Sequence, residues 1–148
     1  MPPLATTIEV ARPPTAVFAY VTDPACFVEW QQGVVSGRMD GDEPHGVGAR
    51  CLTTRRIGFA ERPVTSEITH VDPPRTWGVR GIDGPIRATV DVTVTPLDEG
   101  ARARVTIELD FAGRGIGKLL VALFVRRGAR KEMLTNMQRL KARLEDQA

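Results

Sequence analysis

The chain has 148 residues, of which 42% are hydrophobic and 26% are charged, and its formal net charge is +2. This length and composition are typical of one soluble globular domain, here residues 1–148, with enough apolar material for a core. Because basic and acidic residues nearly balance, the composition gives no support for nucleic-acid binding. No apolar stretch approaches the length of about 18 residues that a membrane-spanning helix needs, so we expect no transmembrane segment.

The N-terminal sequence, MPPLATTIEV, lacks the basic segment and apolar run of a signal peptide. We therefore expect a cytoplasmic protein. Its two cysteines, Cys26 and Cys51, are too few to indicate a disulfide framework. We expect both to be reduced in the cytoplasm and to behave as small apolar side chains.

The first elements are a strand and two short helices. Residues 6–10 alternate as a strand, and Pro13-Pro14 then suits the first turn of a helix that extends to residue 21. Asp23-Pro24 provides an N-cap and a proline at the first helical position, which predicts a second helix over residues 25–31.

Strands separated by turn sequences follow. We predict strands at residues 34–38, 48–59, 62–71, 76–81, 86–95 and 101–111. The last two alternate strictly between apolar and polar residues. The apolar sets are Ile86, Ala88, Val90, Val92 and Val94 on one strand, and Ala103, Val105, Ile107, Leu109 and Phe111 on the other. Such alternation predicts a sheet with one dry face and one wet face.

Residues 116–146 have the pattern of one long amphipathic helix. Apart from one break, its apolar residues recur at steps of three and four: Leu119, Leu123, Met133, Met137, Leu140 and Leu144. The same steps continued through the break place Arg126 and Arg130 on the apolar face, which argues against a coiled coil. Gly128 also lies in the break, where it either permits close packing or a kink, or leaves room for a ligand beneath the helix.

The C-terminal helix is the predicted element that is large enough to cover the dry face of the sheet. The sequence therefore predicts an α+β fold in which a curved antiparallel sheet wraps around a long C-terminal helix, with the element order β-αα-ββββββ-α.

Several local motifs and their order resemble the START-like superfamily, also called SRPBCC. This superfamily has the helix-grip fold and includes the birch-pollen allergens and the polyketide cyclase/dehydrase-like proteins. The matching segments are PPTAVFAYV (13–21), TDPACFVEW (22–30), GVGAR (46–50), THVDPPRTW (69–77), PLDEGAR (96–102) and ARKEMLTNMQRLKARLE (129–145). The resemblance covers nearly the whole chain, and it depends on the combination of these motifs.

The resemblance implies a hydrophobic cavity between the concave face of the sheet and the C-terminal helix, suited to a lipid, a polyketide or a similar apolar molecule. The apolar inward sets of the last two strands agree with this. The residues expected to contact the ligand are Trp30, Cys51, Thr53, Ser66, Trp77, Val90, Val92, Val105, Ile107, Leu120, Phe124 and Gly128. Trp30 and Trp77 either stack on the ligand or belong to the core.

The sequence contains no recognised catalytic or metal-binding motif. Ser36 and Ser66 lie outside any G-x-S-x-G elbow. His45 and His70 are far apart and have no cysteine or carboxylate at zinc-ligand spacing, so we expect neither a metal nor a cofactor. The segment GRGIGK at 113–118 lacks the spacing of a phosphate-binding loop and is interpreted as a hinge.

Three polar residues are the candidates for a catalytic role: His70, Arg55 and Tyr20. If Cys51 and Thr53 face the cavity, Arg55 does so too and requires a carboxylate from the protein or the ligand. Alternatively, Arg55 lies in solvent at the strand end. In the same interpretation His70 shares a face with Ser66 and acts as an acid or base, or else it lies on the surface beside a turn.

Three functions fit these observations. The favoured one is a carrier or sensor that binds an apolar small molecule, as a monomer or homodimer. The second is a polyketide cyclase/dehydratase-type lyase or isomerase that acts without metal in the same cavity. The third is an interaction protein whose basic cluster, Arg126, Arg127, Arg130 and Lys131, contacts a partner or an anionic membrane surface. Such a cluster is more commonly a solvated helix face.

Overall fold

The computed structural model describes residues 4–41, 46–57, 59–83, 86–113 and 126–147. The strands are β1 (Leu4–Val10), β2 (Val34–Met39), β3 (Arg50–Ile57), β4 (Ala60–Asp72), β5 (Thr76–Gly81), β6 (Ile86–Leu97) and β7 (Arg102–Gly113). The helices are α1 (Pro14–Val21), α2 (Phe27–Trp30) and α3 (Arg126–Asp146), with 3₁₀ turns at Pro24–Cys26 and Asp98–Gly100. This order confirms the predicted α+β arrangement, although the ends of most elements differ by one or more residues.

All seven strands form one antiparallel sheet in the order β1-β7-β6-β5-β4-β3-β2. The chain runs from neighbour to neighbour between β2 and β7, whereas β1 adds beyond β7, with Leu4 opposite Leu109 and Val10 opposite Ala103. Because β1 and β2 are at opposite edges, the segment that contains α1 and α2 connects the two edges of the sheet.

The inward residues of β6 and β7 form the centre of the core, as their alternation predicts. Val92 and Val94 of β6 and Ala103, Val105 and Ile107 of β7 are buried. They belong to one apolar cluster with side chains of α1, α2 and α3. The dry face of the sheet is therefore the one that these helices cover.

The connection between β1 and β2 begins as predicted and then differs. α1 starts at Pro14, and the Asp23 carboxylate caps the next turn by accepting a hydrogen bond from the Ala25 N–H at 3.0 Å. The predicted second helix is divided, since a 3₁₀ turn at Pro24–Cys26 precedes the four residues of α2. This tight turn brings Pro24 against β2.

The apolar face of α3 follows the predicted residues Met133, Met137, Leu140 and Leu144, all of which are buried. The placement of Arg130 on this face is wrong, because its side chain is exposed and the partly buried Ala129 packs against the core instead. An unpaired guanidinium in the core would lose its hydration at a large cost in free energy, whereas the apolar methyl group of alanine is buried without that cost. The predicted helix start at residue 116, with Leu119 and Leu123, lies outside the described residues. Among the helices that are described, none combines the length and apolarity needed to cross a bilayer.

The C-terminal end of α3 is held against β1 by polar contacts. Lys141 Nζ donates to the Glu9 carbonyl oxygen at 2.6 Å and to Glu145 Oε2 at 2.9 Å. The Ala11 N–H donates to the same oxygen of Glu145 at 3.0 Å. The bonds from Lys141 and Ala11 favour the ionised carboxylate and lower the pKa of Glu145.

We expect the stabilising effect of Glu145 to depend on pH. Its folded-state pKa lies below the ordinary value of 4.5, so the stabilisation is present above that value and is lost as the pH falls through the folded-state pKa. Glu145→Gln should lower the thermal melting temperature at neutral pH, and the difference from the unmodified protein should shrink as the pH falls below 4.5 and disappear below the folded-state pKa. Glu108→Gln, at an exposed position of β7, is the control. A Glu145→Gln difference that is unchanged in acid would contradict this assignment.

Candidate functional site

A cavity of about 750 Å³ lies between the concave face of the sheet and α3. Its surface is mainly apolar, with Trp77, Val92 and Ile107 contributed by the sheet and Met133 and Met137 by α3. This volume is within the range of about 300–1,000 Å³ that is usual for small-molecule sites. The curved sheet and its covering helix thus leave a space that the described side chains do not fill.

Most of the residues predicted to contact a ligand line this cavity. They are Trp30, Cys51, Thr53, Ser66, Trp77, Val90, Val92, Ile107 and Gly128. Val105 is fully buried in the core and is not among the lining residues. Leu120 and Phe124 lie outside the described residues. The role of the lining residues in binding stays a prediction.

Gly128 lies where α3 borders the cavity. No described atom outside its own helix turn lies within 4 Å of the position that a Cβ atom would occupy. Gly128 is therefore not a point of close helix packing against the described part of the chain, and the alternative interpretation, that it leaves space beneath the helix, fits the geometry.

Arg55 lines the cavity, which resolves the two alternatives that the sequence leaves open. Its Nη1 donates to Gln31 Oε1 at 3.2 Å. Burial lowers the pKa of Arg55, and the charge of Glu132 on α3 opposes this effect. Burial also raises the pKa of Glu132, while Arg55 counteracts it. One end of the apolar cavity therefore holds a cation, a carboxyl group and an amide.

Sequence reasoning missed the polar residues that α3 and the α2–β2 connection bring to this end. Glu132 and Asn136 are one helical turn apart and both line the cavity. The Asn136 Oδ1 accepts a hydrogen bond from the Gln32 N–H at 2.8 Å, which ties α3 to the connection. Their position in the sequence beside Met133 and Met137 could have indicated this, because polar residues next to the apolar face of a helix lie at the border of the region that this face covers.

The aromatic residues of the cavity form a packed cluster. Phe27 contacts the Trp30 ring edge to face, with centroids 5.8 Å apart, and the Trp77 ring at 6.4 Å. Trp30 and Trp77 are buried, so each belongs to the core and also borders the cavity. The Trp30 Nε1–H is buried and finds no acceptor among the described residues.

His70 does not share a face with Ser66, and that part of the sequence interpretation is wrong. A β-bulge between Ile68 and His70 shifts the register of β4 against β5, so the side-chain alternation is interrupted. His70 Nε2 instead lies 2.6 Å from Asp91 Oδ1, where both side chains are more than 40% exposed. His70 is not among the residues that line the cavity.

Tyr20 and the two cysteines have no evident chemical activation. The Tyr20 hydroxyl donates to Glu29 Oε1 at 2.8 Å, and burial and this bond raise its pKa. Tyr20 is buried outside the set of residues that line the cavity. Burial raises the pKa of the Cys51 thiol to about 11, and burial with the Asp23 charge does the same for Cys26. Both thiols are free and protonated at neutral pH.

This arrangement of sheet, covering helix and cavity agrees with the comparison of the sequence with known families. The profile of the family described as "Polyketide cyclase / dehydrase and lipid transport" matches residues 1–145. The chain belongs to this family. The assignment confirms the resemblance on which the sequence prediction relied. No curated protein matches the chain by sequence.

Solved structures similar to this member of the polyketide cyclase/dehydrase and lipid transport family include the Zhui aromatase/cyclase from Streptomyces sp. R1128. Its TM-score is 0.80 at 14% identity, with 97% of this chain and 93% of that chain covered. A START superfamily protein from Mycobacterium smegmatis has a TM-score of 0.79 at 13% identity, with both chains covered completely. The protein TTHA0849 from Thermus thermophilus has a TM-score of 0.77 at 17% identity, with 99% of each chain covered. At these identities the similarity shows the fold alone, and it confirms the helix-grip arrangement.

Proposed function

We propose that the protein binds a small apolar ligand in the cavity between the sheet and α3, as a carrier or sensor in the cytoplasm. The observation that carries this proposal is the cavity of about 750 Å³ with its mainly apolar lining. Water in such a space makes few hydrogen bonds, so an apolar ligand that displaces it gains free energy. The two free cysteines agree with a reducing compartment.

The proposal is tested first by native mass spectrometry of the freshly purified protein, with the denatured mass as reference. A copurified ligand that dissociates on denaturation would support binding and give the mass of the ligand. If the protein is empty, the neutral dye Nile red serves as the probe, since its fluorescence rises in apolar surroundings. Failure of both measurements would overturn the proposal.

A cavity-filling substitution locates the binding site. Ala88 on β6 lines the cavity, and the neighbouring Thr89 alternates to the other face. We expect Ala88→Trp to weaken Nile red binding about tenfold or more, which is a loss of about 1.4 kcal/mol, because the indole occupies the space of the ligand. Thr89→Trp is the matched control and should bind as before. Equal binding by both variants, with unchanged circular dichroism, would place the dye elsewhere.

A second candidate function is that of a polyketide cyclase/dehydratase, which the presence of Arg55 and Glu132 at the same end of the cavity favours. A guanidinium stabilises a developing enolate, and burial raises the pKa of the Glu132 carboxyl group, which favours the acid form that donates a proton. The similarity of the fold to an aromatase/cyclase is compatible with this chemistry. Glu132→Gln distinguishes the candidates, since a cyclase would lose turnover of a poly-ketone substrate, whereas a carrier would still bind its ligand.

A further inference from the structure

Among the residues that the structure describes, Arg55 has no close counter-ion in the cavity. Arg55 extends from β3 into a cavity that is otherwise mainly apolar. The contact of its Nη1 is with Gln31 Oε1, a neutral amide oxygen 3.2 Å away. A guanidinium has five N–H donors, and Gln31 provides the one side-chain or backbone acceptor found for them among the described residues. A buried cation that lacks a close counter-ion is costly, and the site therefore favours an anion.

Glu132 does not supply that anion at close range. It acts on Arg55 through its charge, but among the described residues no carboxylate lies within ion-pairing distance of the Arg55 guanidinium. The Glu132 Oε1 instead lies near Gly33, 3.4 Å from the position that a Cβ atom would occupy there. The two groups thus face the same end of the cavity from β3 and α3, with space for a ligand group beside Arg55.

We propose that Arg55 and Gln31 form a subsite for the carboxylate of an otherwise apolar ligand, such as a fatty acid. This inference rests on the proposed binding function and specifies the class of ligand. Two parallel N–H donors of a guanidinium match the two oxygens of a carboxylate, and the amide of Gln31 offers a further donor. The apolar walls formed by residues such as Trp77, Val92 and Met137 would receive the hydrocarbon part.

The charge at this end of the cavity favours a carboxylate over a phosphate group. A carboxylate carries one negative charge, which one guanidinium can neutralise. A phosphate monoester carries about −1.5 to −2 at neutral pH, and its second charge would meet the carboxyl group of Glu132, with no unpaired second cation beside Arg55 among the described residues. The other charged residues among those described at the border of the cavity supply no unpaired second cation. Arg56 pairs with Glu61, and the Asp83 carboxylate accepts hydrogen bonds from the Thr65 N–H.

The test compares dodecanoate with dodecan-1-ol as competitors of Nile red. The two ligands share the alkyl chain and differ in the head group. We expect the unmodified protein to bind dodecanoate about tenfold more tightly or better, because of its charge-assisted hydrogen bonds. Arg55→Gln should reduce the ratio of the two affinities to about one, mainly by weakening dodecanoate. Arg50→Gln is the matched control, since Arg50 lies on the same strand, is exposed and does not line the cavity.

Glu132→Gln provides a second measurement that does not depend on the folding of the Arg55 variant. Removing the competing carboxyl group should strengthen dodecanoate binding and leave dodecan-1-ol unchanged. Equal affinities of the unmodified protein for both ligands would overturn the carboxylate subsite and leave the cavity as a binding site. If neither ligand displaces bound Nile red, the subsite is also overturned. If Nile red itself does not bind and no ligand copurifies, the proposed function fails together with the subsite.

Discussion

Leu140→Ala should lower the free energy of unfolding by about 2–5 kcal/mol. Leu140 is fully buried on α3, and it belongs to the same apolar cluster as Val10 of β1 and Val17 of α1. Truncation to alanine removes the apolar contacts of the side chain and leaves a void that the sheet and the helices close only in part. The penalty is large because the side chain is fully buried in an apolar cluster to which the sheet and the helices contribute.

Urea denaturation monitored by circular dichroism measures the effect of Leu140→Ala. Leu134→Ala on the same helix is the control, because Leu134 is 55% exposed and its truncation should change the free energy of unfolding by less than about 0.5 kcal/mol. Both substitutions have the same helix-propensity change, so the difference between them reports burial. A loss of less than about 1 kcal/mol at Leu140 would contradict the packing described for α3.

Gly37→Ala is the second substitution with a large expected effect, about 3 kcal/mol of destabilisation. Gly37 lies on β2 opposite Thr53, and the 3₁₀ turn packs against it. A Cβ atom at this position would collide with the carbonyl oxygen of Pro24. Pro24 is fully buried and its backbone is restrained by the proline ring and the Asp23 cap, so the turn cannot move aside cheaply.

Two other glycines give the comparison that isolates this backbone contact. Gly46→Ala should be close to neutral, since no described atom lies within 4 Å of the added methyl group. Gly78→Ala should cost less than Gly37→Ala, because the added methyl group meets the side chains of His70 and Asp91, which are both partly exposed and can rotate towards solvent. Thermal unfolding of the three variants should therefore rank Gly37→Ala lowest. Equal melting temperatures for all three would show that the Pro24 contact is not rigid.

The sequence predicts the sheet well because every second residue of a strand faces the core. Val92, Val94, Val105 and Ile107 alternate with polar residues, and such a pattern leaves one arrangement in which the apolar side chains are dry. The same parity, applied to β3, places Arg55 on the concave side beside Cys51 and Thr53, where the structure has it. The wet and dry faces follow from local pattern alone.

The parts that sequence reasoning misses depend on interruptions of that period or on tertiary contacts. A bulge adds one residue to β4 and turns His70 to the opposite face of the sheet. The residue types of this segment do not indicate such a bulge. On α3, the spacing of three and four residues, continued through the break, places Arg130 in the core. In the structure Arg130 is exposed and Ala129 packs against the core instead. From the sequence pattern, Glu132 and Asn136 are predicted to lie on the solvent-exposed surface of the helix. Their position beside the cavity follows only from the tertiary structure.

The pairing of β1 with β7 has a consequence for the chain during its synthesis. Thr7 faces Thr106, a separation of 99 residues along the chain. Ribosomes add about 5–20 residues per second, so β1 waits roughly 5–20 s for its neighbour to be made. Contacts between such distant segments also form slowly once both are present. Since Thr6 of β1 and residues of α3 both line the cavity, a nascent chain has no complete binding site until β7 and then α3 have left the ribosome.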